Sequence, residues 1–261
     1  MKRRPRRNLF AAATAATAAL FACGAAAQTP CKTEALGTAT IVAVRDARTI
    51  ATSDGREIRL AGIEVPPQDS AAGKASAAAI TALAGGTLRL GKLGTDSDRY
   101  GRLVAFAYPD GAQLSLQQAL LEQGQARVSA RIGDKACTAA LLTSERNART
   151  ARRGLWADPN FAPLQAEHLD RLQAERGHFA LIEGKVLSVR ESGATIYVNF
   201  GRRWTRDFTV IILKRQQRIF AAAGGEPKQL EGRRIRVRGW IEQRGGPIVM
   251  AEAPEQIEFV E

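Results

Sequence analysis

Residues 38–63 hold short β-branched runs, Thr38 to Val44, Thr49 to Thr52 and Glu57 to Ile63, with a Ser53-Asp54-Gly55 turn before the last. Runs this short and this closely punctuated predict an antiparallel meander with a tight hairpin. An Ala-rich helix from Ala71 to Ala84 follows and stops at Gly85-Gly86. Thr87 to Leu93 and Leu103 to Tyr108 read as two more strands, the second closed by Pro109-Asp110-Gly111. Leu114 to Gln123 and Thr138 to Arg153 carry apolar residues at helical spacing. On the second of these helices Arg146, Arg149, Arg152 and Arg153 are expected to point largely outward. The first half is therefore predicted as strands with inserted helices, an α+β arrangement.

The chain has 261 residues, 45% hydrophobic and 25% charged, which suits one or two globular units. Its formal net charge of +12 suggests a polyanionic partner. Five of those charges, Lys2, Arg3, Arg4, Arg6 and Arg7, precede an uncharged run from Leu9 to Ala22 and the small residues Gly24 to Ala27. That pattern predicts an export signal over residues 1–27, whose removal would leave a mature balance of +7. Leu20-Phe21-Ala22-Cys23 offers a lipoprotein box as the alternative, and no integral span is expected in the mature chain. Cys31 and Cys137 then remain as an even pair in an oxidising compartment, periplasmic or extracellular, and are predicted to form a disulfide.

Beyond Pro159 and Pro163, a helical stretch from Leu164 to Arg176 is expected to link the first unit to a strand-rich second one. Ala180 to Val189, Ala194 to Phe200, Arg206 to Leu213, Arg233 to Glu242 and Ile248 to Ala251 are five strand candidates, with a helix from Lys214 to Ala223 among them. Five strands and one helix suit a small, partly open OB-type barrel. Tyr197, Arg203 and Trp204 form a candidate nucleic-acid surface of interleaved aromatic and basic residues, with a solvated hairpin tip as the alternative. The Arg234, Arg236, Arg238 alternation reads as a half-buried strand with a basic outer face, and His168 and His178 have no ligand partners at useful spacing.

Ile58-Arg59-Leu60-Ala61-Gly62-Ile63-Glu64-Val65-Pro66, Asp98-Arg99-Tyr100-Gly101-Arg102, Leu120 to Val128 and Gly154-Leu155-Trp156 occur in that order. Together they resemble the staphylococcal nuclease-like (thermonuclease) family over about residues 38–158. The resemblance implies a five-stranded OB barrel with three helices and a nucleic-acid substrate. It also implies a calcium ion held by acidic residues beside two arginines, and a glutamate acting as general base. A hard cation and two guanidiniums neutralise charge building on a five-coordinate phosphorane, while a carboxylate activates water.

The arginines carry over as Arg59 and Arg102, and Arg99 and Tyr100 as phosphate contacts. The acidic half does not. Arg48 stands where the second metal-binding aspartate belongs, Glu64 replaces the other aspartate, and Pro67 replaces the catalytic glutamate. A guanidinium at a calcium-ligand position opposes cation binding, and Arg48 is expected to pair with Glu64 or Asp46 in place of the metal.

These residues predict a staphylococcal-nuclease-like OB barrel over residues 28–160, a helical linker over 161–178 and a second OB-like β-barrel over 179–261. The function expected is that of an exported binder of nucleic acid or protein with little or no phosphodiesterase activity and no cofactor. The rival expectation is an active secreted nuclease that gathers Asp46, Glu64 and Asp69 around Ca2+. A third is a disulfide-stapled envelope protein without a nucleic-acid ligand.

Overall fold

The computed structural model describes residues 31–84, 86–94 and 97–260. The export signal expected over residues 1–27, with Cys23, lies outside them. Strands β1 (Glu34–Asp46), β2 (Thr49–Thr52), β3 (Glu57–Leu60) and the short β4 (Ile63–Glu64) lead into α1 (Ala71–Ala84). Then come β5 (Thr87–Lys92), β6 (Leu103–Pro109), α2 (Leu116–Glu122), β7 (Arg127–Val128) and α3 (Lys135–Thr150). Five strands close into a barrel in the order β1-β2-β3-β6-β5. The long β1 makes closure possible because it serves two neighbours: Glu34 to Thr40 pair with β5, and Ile41 to Asp46 pair with β2. Register shifts along β1 bend it between the two partners.

Ile50, Ile58, Leu88 and Phe106 fill the barrel, and Ile80, Leu116 and Leu120 from α1 and α2 pack against it, each almost fully buried. Each such side chain contributes about 1.5–3 kcal/mol of transfer free energy. The Cys31 and Cys137 sulfurs lie 1.96 Å apart, tying the chain ahead of β1 to the first turn of α3. The ends of α2 and α3 meet at two glycines with positive φ. A Cβ on Gly124 would lie 2.1 Å from the Arg153 carbonyl oxygen, and one on Gly154 would lie 2.5 Å from that of Gly124. Only glycine fits both, and the contact lets the Leu155 N–H donate to the Gly124 carbonyl at 2.8 Å.

The predicted helix from Leu164 to Arg176 is formed only in part. Leu164 and Gln165 instead form β8 (Leu164–Gln165), parallel to β9 (Phe179–Lys185), and only α4 (Leu169–Ala174) is helical. Pairing with a sheet edge outweighs the local helical preference. The expected single strand from Ala180 to Val189 is also broken. Val186 bonds to Gly232 and Arg233, Leu187 bonds to Asn199, and the chain passes there from β9 to β10 (Ser188–Ser192).

The remaining elements are β11 (Thr195–Asn199), β12 (Thr209–Leu213), α5 (Gln217–Ala222), β13 (Arg234–Trp240), β14 (Glu242–Arg244), β15 (Gly246–Met250) and β16 (Ile257–Phe259). The second unit's strands form two sheets, β10-β11-β12-β15-β14 and β16-β13-β9-β8, and the partly open OB-type barrel expected from the strand count is not evident among the described residues. Ile182, Val198, Val210, Ile212, Val237 and Val249 fill the second core. No helix among the described residues is long and apolar enough to cross a membrane.

The basic outer face expected on β13 is corrected by the packing of the two units. Arg238 is 0% exposed. Its Nη1 donates to the Val128 carbonyl at 3.0 Å and to Glu145 Oε2 at 2.9 Å, and its Nη2 donates to Glu145 Oε1 at 3.0 Å and to Glu258. Arg236 bonds to Glu183 at 2.6 Å, and Arg149, expected outward, reaches Glu145 at 3.1 Å. Ala148 and Trp156 from the barrel unit and Phe179 and Leu181 from the second unit form an apolar cluster beside these charges. Of that face Arg238 meets the barrel's α3 and Arg236 is half-buried against acids of its own unit, while Arg234 stays exposed to water as expected.

Candidate functional site

The residues singled out in the first unit come from the ends of β1, β3, β4 and β6. After Asp46 the chain turns sharply, with the Asp46 carboxylate accepting from the Arg48 N–H at 2.8 Å. That turn aims the Arg48 side chain across to β4, where Nη1 bonds to the Glu64 carboxylate. Both side chains are largely buried, at 16% and 7% exposure. Burial, followed by the charge of nearby Arg59, lowers the Arg48 guanidinium to about 10, which leaves it charged at neutral pH. The expected Arg48–Glu64 ion pair is thus present in the structure.

Arg102 is held rigidly. Asp98 accepts from its backbone N–H at 3.1 Å and from its Nε at 2.9 Å, and Nη2 lies 2.7 Å from the same carboxylate. Asp98 was not singled out from the sequence; an aspartate four residues before a family arginine, at the start of a tight turn, is the signal that could have found it. Burial raises the Asp98 carboxyl, but the bonds from Arg102 and from the Tyr100 N–H more than offset this and hold it below the usual carboxylate range. The Arg59 guanidinium, half-buried on β3, makes no hydrogen bond or ion pair among the described residues. Burial and the nearby Arg102 charge lower it. Tyr100 is 66% exposed, with the Arg99 guanidinium 4.7 Å and the Arg102 guanidinium 5.1 Å from its ring centre. Arg99, Tyr100 and Arg102 therefore meet on one turn.

The calcium site implied by the resemblance does not fit these residues. Glu64 is committed to Arg48, and Pro67 supplies no carboxylate. No group of three or more carboxylate, imidazole or thiol side chains able to hold a metal converges among the described residues, and Asp69 is exposed. In the second unit Tyr197 and exposed Trp204 line one shallow pocket, joined by Arg244 rather than Arg203. The Arg203 N–H instead donates to Asp207 at 2.8 Å, closing the turn there. The candidate surface around Tyr197 and Trp204 thus acquires a different cation from the one read in the sequence.

A closed five-stranded barrel with arginines on β3 and at the start of β6, and an acid on β4 facing the end of β1, defines a nuclease-type OB unit. Residues 57–158 match the family model described as Staphylococcal nuclease homologue, and the barrel unit belongs to that family. The match begins at Glu57, after β1, which ends at Asp46, and the turn that carries Arg48. No curated protein matches the chain.

Proposed function

We propose that this nuclease-family protein acts after export as a binder of nucleic-acid backbone with little or no phosphodiesterase activity. The observation that carries this reading is the Arg48 guanidinium bonded to Glu64 where the family holds a cation. Arg59 is the principal phosphate contact, because its guanidinium is charged, partly open and uncommitted to a protein partner. Arg102 is preset by Asp98, and Arg99 and Tyr100 extend the contact on the exposed turn. The basic N-terminal run and the paired cysteines support action outside the cytoplasm.

Arg59→Ala removes a cation that makes no bond in the folded protein, so its stability is expected to stay within about 0.5 kcal/mol of the parent. Its affinity for single-stranded DNA should fall, and the slope of log K against log salt should shrink by about 0.7 for the lost phosphate contact. Fluorescence anisotropy across a salt series, with and without Ca2+, measures both. Calcium-dependent cleavage abolished by Arg59→Ala would favour the active nuclease. Absence of salt-sensitive binding would favour the envelope protein without a nucleic-acid ligand.

A further inference from the structure

Between the two units lies a cleft of about 500 Å³. One wall is Asp46, Arg48, Pro66 and Pro67 from the barrel unit; the other includes Phe179 and Trp240. Arg127, from β7, lies between them at 7% exposure. Its guanidinium carbon stands 5.6 Å from the Phe161 ring centre and 5.3 Å from that of Phe179. Nε is fully buried without a hydrogen-bond partner, and the side chain makes no hydrogen bond or ion pair among the described residues.

Neither nearby acid bonds to the Arg127 side chain, although Glu175 lines the same cleft. Glu145 serves the Val128 N–H, Arg149 and Arg238, and Glu175 lies 3.3 Å from His178 Nδ1. Burial lowers the Arg127 guanidinium to about 10 against the pull of Glu145 and Glu175, so it still carries its charge at neutral pH. A charged donor left without a protein acceptor is costly where it is buried, and a ligand in the cleft that supplies one relieves that cost.

We infer that this cleft binds a small ligand that joins a terminal oxyanion, phosphate or carboxylate, to a flat unsaturated ring. The guanidinium edge presents parallel N–H groups, a geometry that either oxyanion satisfies in bidentate fashion. The ring follows from the lining: Pro66, Pro67, Phe179 and Trp240 all line the cleft, and the latter two rings meet edge to face at 6.2 Å. Trp240 is 38% exposed at the rim, where it can cover a bound ring. The volume falls within the range of small-molecule sites, about 300–1,000 Å³. This site does not depend on the nucleic-acid reading, because neither Arg59 nor Arg102 lines the cleft.

Isothermal titration of the full mature chain with adenosine 5′-monophosphate, 2-naphthoate, inorganic phosphate and uncharged adenosine tests the inference. Saturable binding of the monophosphate or the naphthoate is expected, at least about tenfold tighter than that of adenosine or inorganic phosphate, and the better of the two identifies the oxyanion. Arg127→Lys should weaken that binding at least about tenfold, since an ammonium cannot make the paired contact. Because Arg127 is buried and its variant can lose the fold, Trp240→Ala at the rim serves as the second variant and should weaken binding several-fold. Failure of both ring-bearing anions to bind, equal binding of adenosine, or unchanged affinity in Trp240→Ala and a folded Arg127→Lys would each overturn the inference.

Discussion

Arg238→Ala is expected to destabilise the protein by about 3–5 kcal/mol, the usual cost of removing one member of a buried ion cluster. The side chain is wholly inaccessible, and its loss strands two carboxylates and a carbonyl at the unit boundary. Glu145 is the more damaging of the stranded acids, because it also accepts the Val128 N–H at 2.6 Å and so ties α3 to β7. Burial pulls the Arg238 guanidinium down, but Glu145 and Glu258 more than compensate and leave it above its ordinary value. Arg238→Lys should recover only part of the loss, since one ammonium cannot serve Glu145, Glu258 and the Val128 carbonyl together. Urea unfolding with fluorescence detection measures the change. A loss below about 1 kcal/mol would mean that water enters the boundary and that the two units do not depend on this contact.

The same cluster sets an acid limit. Burial raises the Glu258 carboxyl, but Arg238 and then Arg236 outweigh it and hold the folded value below the ordinary 4.5. A depressed carboxylate contributes its full stabilisation above the unfolded value and loses it as pH falls through the folded value. Stability should therefore be level above about pH 5 and decline below about pH 4.5, and Glu258→Gln should flatten that decline. Urea midpoints measured from pH 3 to pH 7 for parent and variant test it; parallel curves would remove Glu258 from the account.

The barrel was legible because its strands are short β-branched runs separated by turn residues, and because the arginine motifs occur in family order. The Arg48–Glu64 pair was legible for a simpler reason: a guanidinium placed among acids finds one. The β13 network was not. Alternating arginines on a strand mark one face of a sheet, but periodicity does not say whether that face meets water or another unit. The break at Val186–Leu187 was hidden because both residues are apolar and extend the run without a turn signal. The cleft around Arg127 draws on residues from Asp46 to Trp240, a convergence that no local window contains.

Arg48→Asp combined with Pro67→Glu is expected to create calcium-dependent phosphodiesterase activity at least about a hundredfold above the parent, the scale on which a general base or electrostatic stabilisation of the transition state acts. Arg48→Asp removes the guanidinium from Glu64 and leaves three carboxylates, with Asp46, at one end of the barrel, a charge count suited to a hard cation. Pro67→Glu adds a carboxylate at the mouth of the cleft. The backbone there need not move, because its anchor is the Pro67 carbonyl, which accepts from the Ser70 N–H at 3.0 Å and the Ser70 hydroxyl at 2.6 Å. Without Ca2+ the gathered carboxylates repel, so the double variant should melt below the parent. Calcium at a hundred times its dissociation constant should then return about 2.7 kcal/mol to the variant alone. Thermal melts with Ca2+ or a chelator separate cation binding from catalysis, and a DNA-cleavage assay reads the second. A calcium-raised melting temperature without cleavage would place the remaining defect at Arg59 and Arg102; no calcium effect on melting would show that Arg48 is not what excludes the ion.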